Sequence, residues 1–168
     1  MSIEQSSHVI TNPRPSSVIA CCCCALLVLL LSSCQTLNCS EEDFVRPFDG
    51  SKVAQLSQEA YKVAWAATYR ARFELRTASF QPTQMDWEAI RYVNEISEKS
   101  PWIARAIERN PRTQRCASKR SYDILAYDAL LLKQQYSPRS FSPETAGQID
   151  TLLLIIDQLS SYYETKRH

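Results

Sequence analysis

The residues after position 50 predict an all-α fold, an up-down-up-down four-helix bundle. Glycine is nearly absent, with Gly50 and Gly147 the only two in 168 residues. Apolar residues recur every three or four positions, and no stretch alternates with the period of two that a strand needs. Proline-centred breaks divide the chain into four arms of similar length joined by short connections, which favours antiparallel neighbours in a bundle. No internal repeat suggests a solenoid instead.

The first helix is expected over 51–77, where Val53, Leu56, Ala60, Val63, Ala64, Ala67, Ala71 and Leu75 share a face. Its small residues Ala64, Ala67 and Ala71 allow another helix to approach closely. Tyr61, Trp65, Tyr69 and Phe73 step by four beside them. Phe80-Gln81-Pro82 breaks the chain, and Thr83 with Asp86 three residues on resembles a capping box. The second helix follows to 109 with Trp87, Ile90, Val93 and Ile96 inward. It is expected to be broken at Ser100-Pro101, where serine caps and proline suits the first turn of a fresh piece carrying Trp102, Ile103, Ala106 and Ile107. Asn110-Pro111 ends it. The third helix, 113–136, buries Ala117, Ile124, Leu125, Leu131 and Leu132, and stops at Ser137-Pro138 because a residue before proline avoids the helical region. Ser142 caps and Pro143 opens the fourth, to about 166, with Ala146, Ile149, Leu152, Leu153, Ile156, Leu159 and Tyr163 inward. Residues 152–156 are apolar on every side, so the middle of this helix is expected to be surrounded.

The N-terminal region gives an address. Residues 18–31 are an unbroken apolar run, shorter than the about 20 residues a membrane span needs and suited to the apolar core of a signal peptide. The run closes on Leu31-Ser32-Ser33-Cys34. A branched residue, two small residues and a cysteine resemble the lipobox of bacterial lipoproteins. That class attaches lipid to the cysteine thiol and cuts just before it. The long segment before the run, where Arg14 is offset by Glu4, departs from the class pattern. The resemblance covers the first 34 residues and implies a signal peptide over 1–33 with Cys34 as the lipid site, which leaves a lipidated tether over 34–50 before the helical bundle that periodicity places over 51–168. It implies a membrane partner through the lipid anchor, held firmly because two or three acyl chains bind where one is marginal. Gln35, where an Asp would tend to retain the protein at the inner membrane, implies the outer membrane facing the periplasm. Phe44 and Phe48 are placed to dock the tether.

Removing the signal takes away Cys21 to Cys24 and leaves Cys39 and Cys116 as a pair in an oxidising compartment. The topology brings the starts of the first and third helices to one end, so a Cys39–Cys116 disulfide is expected there. The same end carries Arg105, Arg109, Arg112, Arg115, Lys119 and Arg120, read either as a basic rim facing anionic headgroups or as an ordinary solvated junction beside Glu41, Glu42, Asp43 and Glu108. At the far end Phe80 and Phe141 sit at the loop tips. They are read as a partner-binding patch or as lids turned in over the core.

Several chemistries lack their residues. The whole chain has a formal net charge of +1 and two histidines, of which His8 leaves with the signal and His168 is last. Near-neutral charge calls for no nucleic acid. Lone His168 excludes histidine triads and multi-histidine metal sites, and two glycines exclude a phosphate loop. Asp123, Asp128, Asp150 and Asp157 are the candidates for a carboxylate site, although helical aspartates are usually surface or capping groups. No enzyme activity, cofactor or metal is therefore expected. Two readings remain: an interaction or assembly module for another envelope protein, and a carrier holding a small apolar ligand between helices near Trp65 and Tyr69. The small residues Ala64, Ala67 and Ala71, which pull helices together, predict no pocket of about 300 Å³ or more.

Overall fold

Asp49 starts the bundle by accepting a hydrogen bond from the Lys52 N–H at 3.0 Å, which satisfies a donor that a helix N-terminus otherwise leaves unpaired. Four α-helices follow in the computed structural model, which describes residues 39–78 and 81–166. They are α1 (Gly50–Thr77), α2 (Gln84–Arg109), α3 (Gln114–Gln135) and α4 (Pro143–Tyr163). The capping box at α2 is complete: Thr83 Oγ1 accepts from the Asp86 N–H at 3.3 Å, and Asp86 Oδ2 accepts from the Thr83 N–H at 2.8 Å. Ser142 caps α4 by accepting from the Thr145 N–H at 3.2 Å.

The helices form a four-helix bundle. Helix α1 packs on α2 and α4, α2 packs on α3, and the seam between α3 and α4 is the slightest. Ala60, Ala64, Ala67 and Ala71 are fully buried along α1, against a core that includes Val93, Ile96, Ile103, Leu125, Leu132, Ile149, Leu152 and Leu159. An alanine row has almost no side-chain bulk, so the neighbouring backbones close on α1 and leave a dry, tight interior.

Several expectations are corrected. Helix α2 is not broken at Ser100-Pro101. It runs unbroken with Pro101 inside, and Ser100 is buried with its Oγ donating to the Ile96 carbonyl at 2.6 Å. Packing of Ile96, Ile103 and Ile107 on both sides of the proline holds the two halves in line. Trp87, Trp102 and Ile124 are not inward: they lie on the outer edge of the apolar stripe and are half exposed. The middle of α4 is not surrounded, since Leu154 is 63% exposed. A helix at the corner of a four-membered bundle has neighbours on two sides only, and Leu154 faces neither.

Helix α4 also stops short of the expected 166. Residues 164–166 are drawn into an antiparallel bridge between Phe44 and Thr165, with the Val45 N–H donating to the Glu164 carbonyl at 3.0 Å and the Lys166 N–H to the Asp43 carbonyl at 2.7 Å. Phe44 is buried and Phe48 packs edge-on against Tyr162 and Tyr163. Residues 39–49 are thus docked as a strap across one end of the bundle, and the compact unit begins at Cys39. Among the described residues no helix is long and apolar enough to cross a membrane. The expected signal peptide over 1–33 and the expected lipid site Cys34 lie outside the described residues.

Candidate functional site

The end of the bundle that carries the strap is the more elaborately held. Cys39 and Cys116 form a disulfide, with an S–S distance of 2.04 Å and Cα atoms 5.6 Å apart. It joins the strap to the first turn of α3 across 77 residues of sequence. A side chain at Gly50 would collide with Gln114, so the start of α1 and the start of α3 are pressed together, as an up-down-up-down order requires.

The six basic residues expected to form a membrane-facing rim divide into three kinds. Arg115 is not on the rim. It is 1% exposed, its guanidinium lies 4.3 Å from the Phe44 ring centre and 5.0 Å from that of Phe48, and it donates to the Arg46 carbonyl. Lys119 is half-buried and pairs with Asp123 one turn along its own helix, at 2.7 Å. Arg105, Arg109, Arg112 and Arg120 are exposed. Arg105 and Arg109 line an open cleft of about 390 Å³ together with Trp102 and Asn110. Nothing in the residue types of 105–120 singles out Arg115. What distinguishes it is its contact with the two phenylalanines of the strap, Phe44 and Phe48.

At the far end, Phe141 is not a docking tip. It is buried, stacks on Tyr136 with ring centres 6.1 Å apart, and closes the core. Phe80 lies outside the described residues. The loop beneath is tied down by Glu74 of α1, whose carboxylate accepts from the Ser142 N–H at 3.0 Å, Ser142 Oγ at 2.6 Å and Thr145 Oγ1 at 2.7 Å. Burial pushes the Glu74 carboxyl up, but these hydrogen bonds from Ser142 and Thr145 outweigh it and hold the group below the usual carboxylate range. The carboxylate also sits at the N-terminus of α4, where the helix dipole favours negative charge.

The aspartates considered for a carboxylate site do not converge. Asp128 is buried and accepts from Lys99 at 2.8 Å, Asp157 pairs with Lys133 across the α3–α4 seam at 3.0 Å, and Asp123 is held by Lys119.

The surface that stands out is the outer side of α1. Tyr61, Trp65, Tyr69 and Phe73 are 38%, 60%, 74% and 65% exposed, four aromatic side chains on successive turns with their faces in solvent. At 1.5 Å per residue the row is about 18 Å long. Trp65 and Tyr69 stack, with ring centres 6.2 Å apart and planes 14° from parallel. An open cleft of about 380 Å³ runs beside them, lined also by Thr68, Arg72, Arg76 and Asn94 of α2. This corrects the expectation of no pocket above about 300 Å³. Alanine packing does exclude space between the helices, but the aromatics stand outward and build a trough on the surface. The other tyrosines considered with the row serve elsewhere. Tyr122 stacks on Tyr163 at 4.3 Å, the Tyr136 hydroxyl donates to the Ala146 carbonyl, and Tyr92 lies under Arg91.

Two polar features of the trough matter. Thr68 is 6% exposed, and its Oγ1 is buried with no hydrogen-bond partner among the described residues. Arg72 and Arg76 are exposed and form no ion pair among the described residues, whereas Arg70 of the same helix pairs with Glu144. Compared with protein-family models, with curated proteins and with solved structures, the chain matches none.

Proposed function

We propose that the chain is a bacterial envelope lipoprotein, lipidated at Cys34 and held in the outer membrane facing the periplasm. Its helical bundle is a non-enzymatic docking module for another envelope protein. The observation that carries this reading is the row Tyr61, Trp65, Tyr69 and Phe73 on the outer side of α1. Exposed aromatics scattered singly are ordinary, but a contiguous row flanked by arginines has the composition of the central residues of protein interfaces, where Trp, Tyr and Arg carry most of the binding energy. The docking patch is therefore moved from the loop tips to the side of the bundle.

Anchoring and docking then occupy different surfaces. The strap follows Cys34 after a few residues and is clamped to one end by the disulfide, so the lipid holds that end near the bilayer. Exposed Arg105, Arg109, Arg112 and Arg120 add attraction to anionic headgroups of about 1 kcal/mol for each charge near the surface. The carrier reading draws on the 380 Å³ trough beside Trp65 and Tyr69. An open trough leaves much of a small ligand in water, whereas ligand sites generally enclose most of it.

A photocrosslinking residue at Asn94, which lines the trough without disturbing the aromatic row, tests the reading in cells. A control probe sits at exposed Thr151. One envelope protein captured through 94 and not through 151, and lost in Trp65→Ser and Tyr69→Ser, is the expected result. Capture of only small molecules through 94 establishes the carrier. The mass of the N-terminal peptide of the mature protein checks the lipid on Cys34, and an unmodified or uncleaved N-terminus would remove the anchor.

A further inference from the structure

We infer that the trough beside Trp65 and Tyr69 takes an acidic, apolar segment of the partner protein. An apolar side chain of that segment lies on the aromatic row. A neighbouring carboxylate pairs with Arg72 and Arg76. This rests on the docking reading and specifies what the partner must present.

Two observations converge on it. The first is charge. No carboxylate lines the trough, and the other charges in the C-terminal half of α1 are already engaged: Arg70 with Glu144, and Glu74 with Ser142 and Thr145. Arg72 and Arg76, one turn apart on the same face, are the cations left facing an aromatic surface, and a guanidinium pair one turn apart suits a carboxylate. The second is the row itself. Its length of about 18 Å matches three turns of a helix or some five residues of extended chain, which is the scale of a peptide segment rather than a single small molecule. A second copy of this chain docked through the same face offers Arg72 and Arg76 no carboxylate, because none lines the trough.

The test uses the full-length protein in cells with the photocrosslinker at Asn94, and maps the crosslinked partner peptide by mass spectrometry. The expected peptide carries Asp or Glu flanking an apolar residue. Arg72→Glu with Arg76→Glu lowers its recovery by about tenfold or more, while Arg72→Lys with Arg76→Lys keeps much of it. Melting of each purified variant reports folding, and if charge reversal lowers the Tm, Arg72→Gln with Arg76→Gln is read instead. Recovery unchanged by these substitutions in a folded protein, or a mapped segment without carboxylates, overturns the proposal and leaves the docking reading standing. If the unsubstituted protein yields no peptide through 94, or only lipid or glycan, the docking reading falls and the acidic segment with it.

Discussion

Arg115 is one of six basic residues within sixteen positions, and in the structure it alone leaves the solvent. Two aromatic rings, a backbone carbonyl and nearly complete burial replace the water that a guanidinium ordinarily keeps. A desolvated cation over an aromatic contributes about 2 kcal/mol, and a hydrogen bond from a charged donor a similar amount. Arg115→Leu is accordingly expected to lower stability to urea by about 2–4 kcal/mol, and Arg105→Leu, on the exposed side, by less than about 0.5 kcal/mol. Equal effects would put Arg115 back among the surface charges. Glu74 makes the complementary case. Its folded-state pKa lies below the ordinary one, so its contribution is present above the unfolded carboxylate pKa and is lost as pH falls through the folded value. Glu74→Gln should cost about 1–2 kcal/mol near neutral pH, discounted for partial exposure, and the gap from the unsubstituted protein should narrow as pH falls from neutral through the acid range. Chemical denaturation across that range measures it. Residue type alone would have assigned both side chains to the surface. What decides each is a partner distant in sequence: the strap phenylalanines for Arg115, and the start of α4 for Glu74.

At the scale of the elements, the caps were legible and the helix interiors less so. Thr83 with Asp86, Ser142 with Pro143, and Asn110-Pro111 mark ends through hydrogen bonds made within a few residues, and the helices begin and stop where those residues stand. Pro101 was read as a break because a proline inside a helix removes one hydrogen bond and crowds the preceding turn, at about 3 kcal/mol. Burial of Ile96, Ile103 and Ile107 against α1 and α3 outweighs that cost, so α2 continues. Pro101→Ala is therefore expected to stabilise the protein by about 1–3 kcal/mol, raising the Tm by several degrees. A fall in Tm would mean that the proline shapes α2 in a way the packing needs. The outward Trp87, Trp102, Ile124 and Leu154 share one cause. Periodicity locates the centre of a helix's apolar face, while the width of the buried arc depends on how many neighbours the helix has. The aromatic row of α1 is the functional form of the same ambiguity: spacing by four placed Tyr61 to Phe73 on one line, and only the position of α2 and α4 shows that the line faces out.

Over the whole molecule, one disulfide and one short bridge convert an N-terminal tether into part of the fold. Closing 77 residues between Cys39 and Cys116 restricts the unfolded chain by about 4 kcal/mol in the loop-entropy model. Cys39→Ser with Cys116→Ser should lower the denaturation midpoint by a corresponding amount, while helicity by circular dichroism is retained, because the four helices rest on the core and not on the bond. Loss of helicity would show that the strap is needed for the bundle to form. By itself the sequence determined the helical class, the four arms and their order, the caps, and the pairing of the two cysteines, all of which depend on near-neighbour preferences or on topology that short loops impose. The tertiary structure decided which side of each helix meets water, that Pro101 is spanned, that Arg115 and Phe141 are structural, and that the aromatic row of α1 faces solvent. Those outcomes depend on which helices stand beside which and how closely, and an alanine row that lets backbones touch sets that distance for the whole bundle.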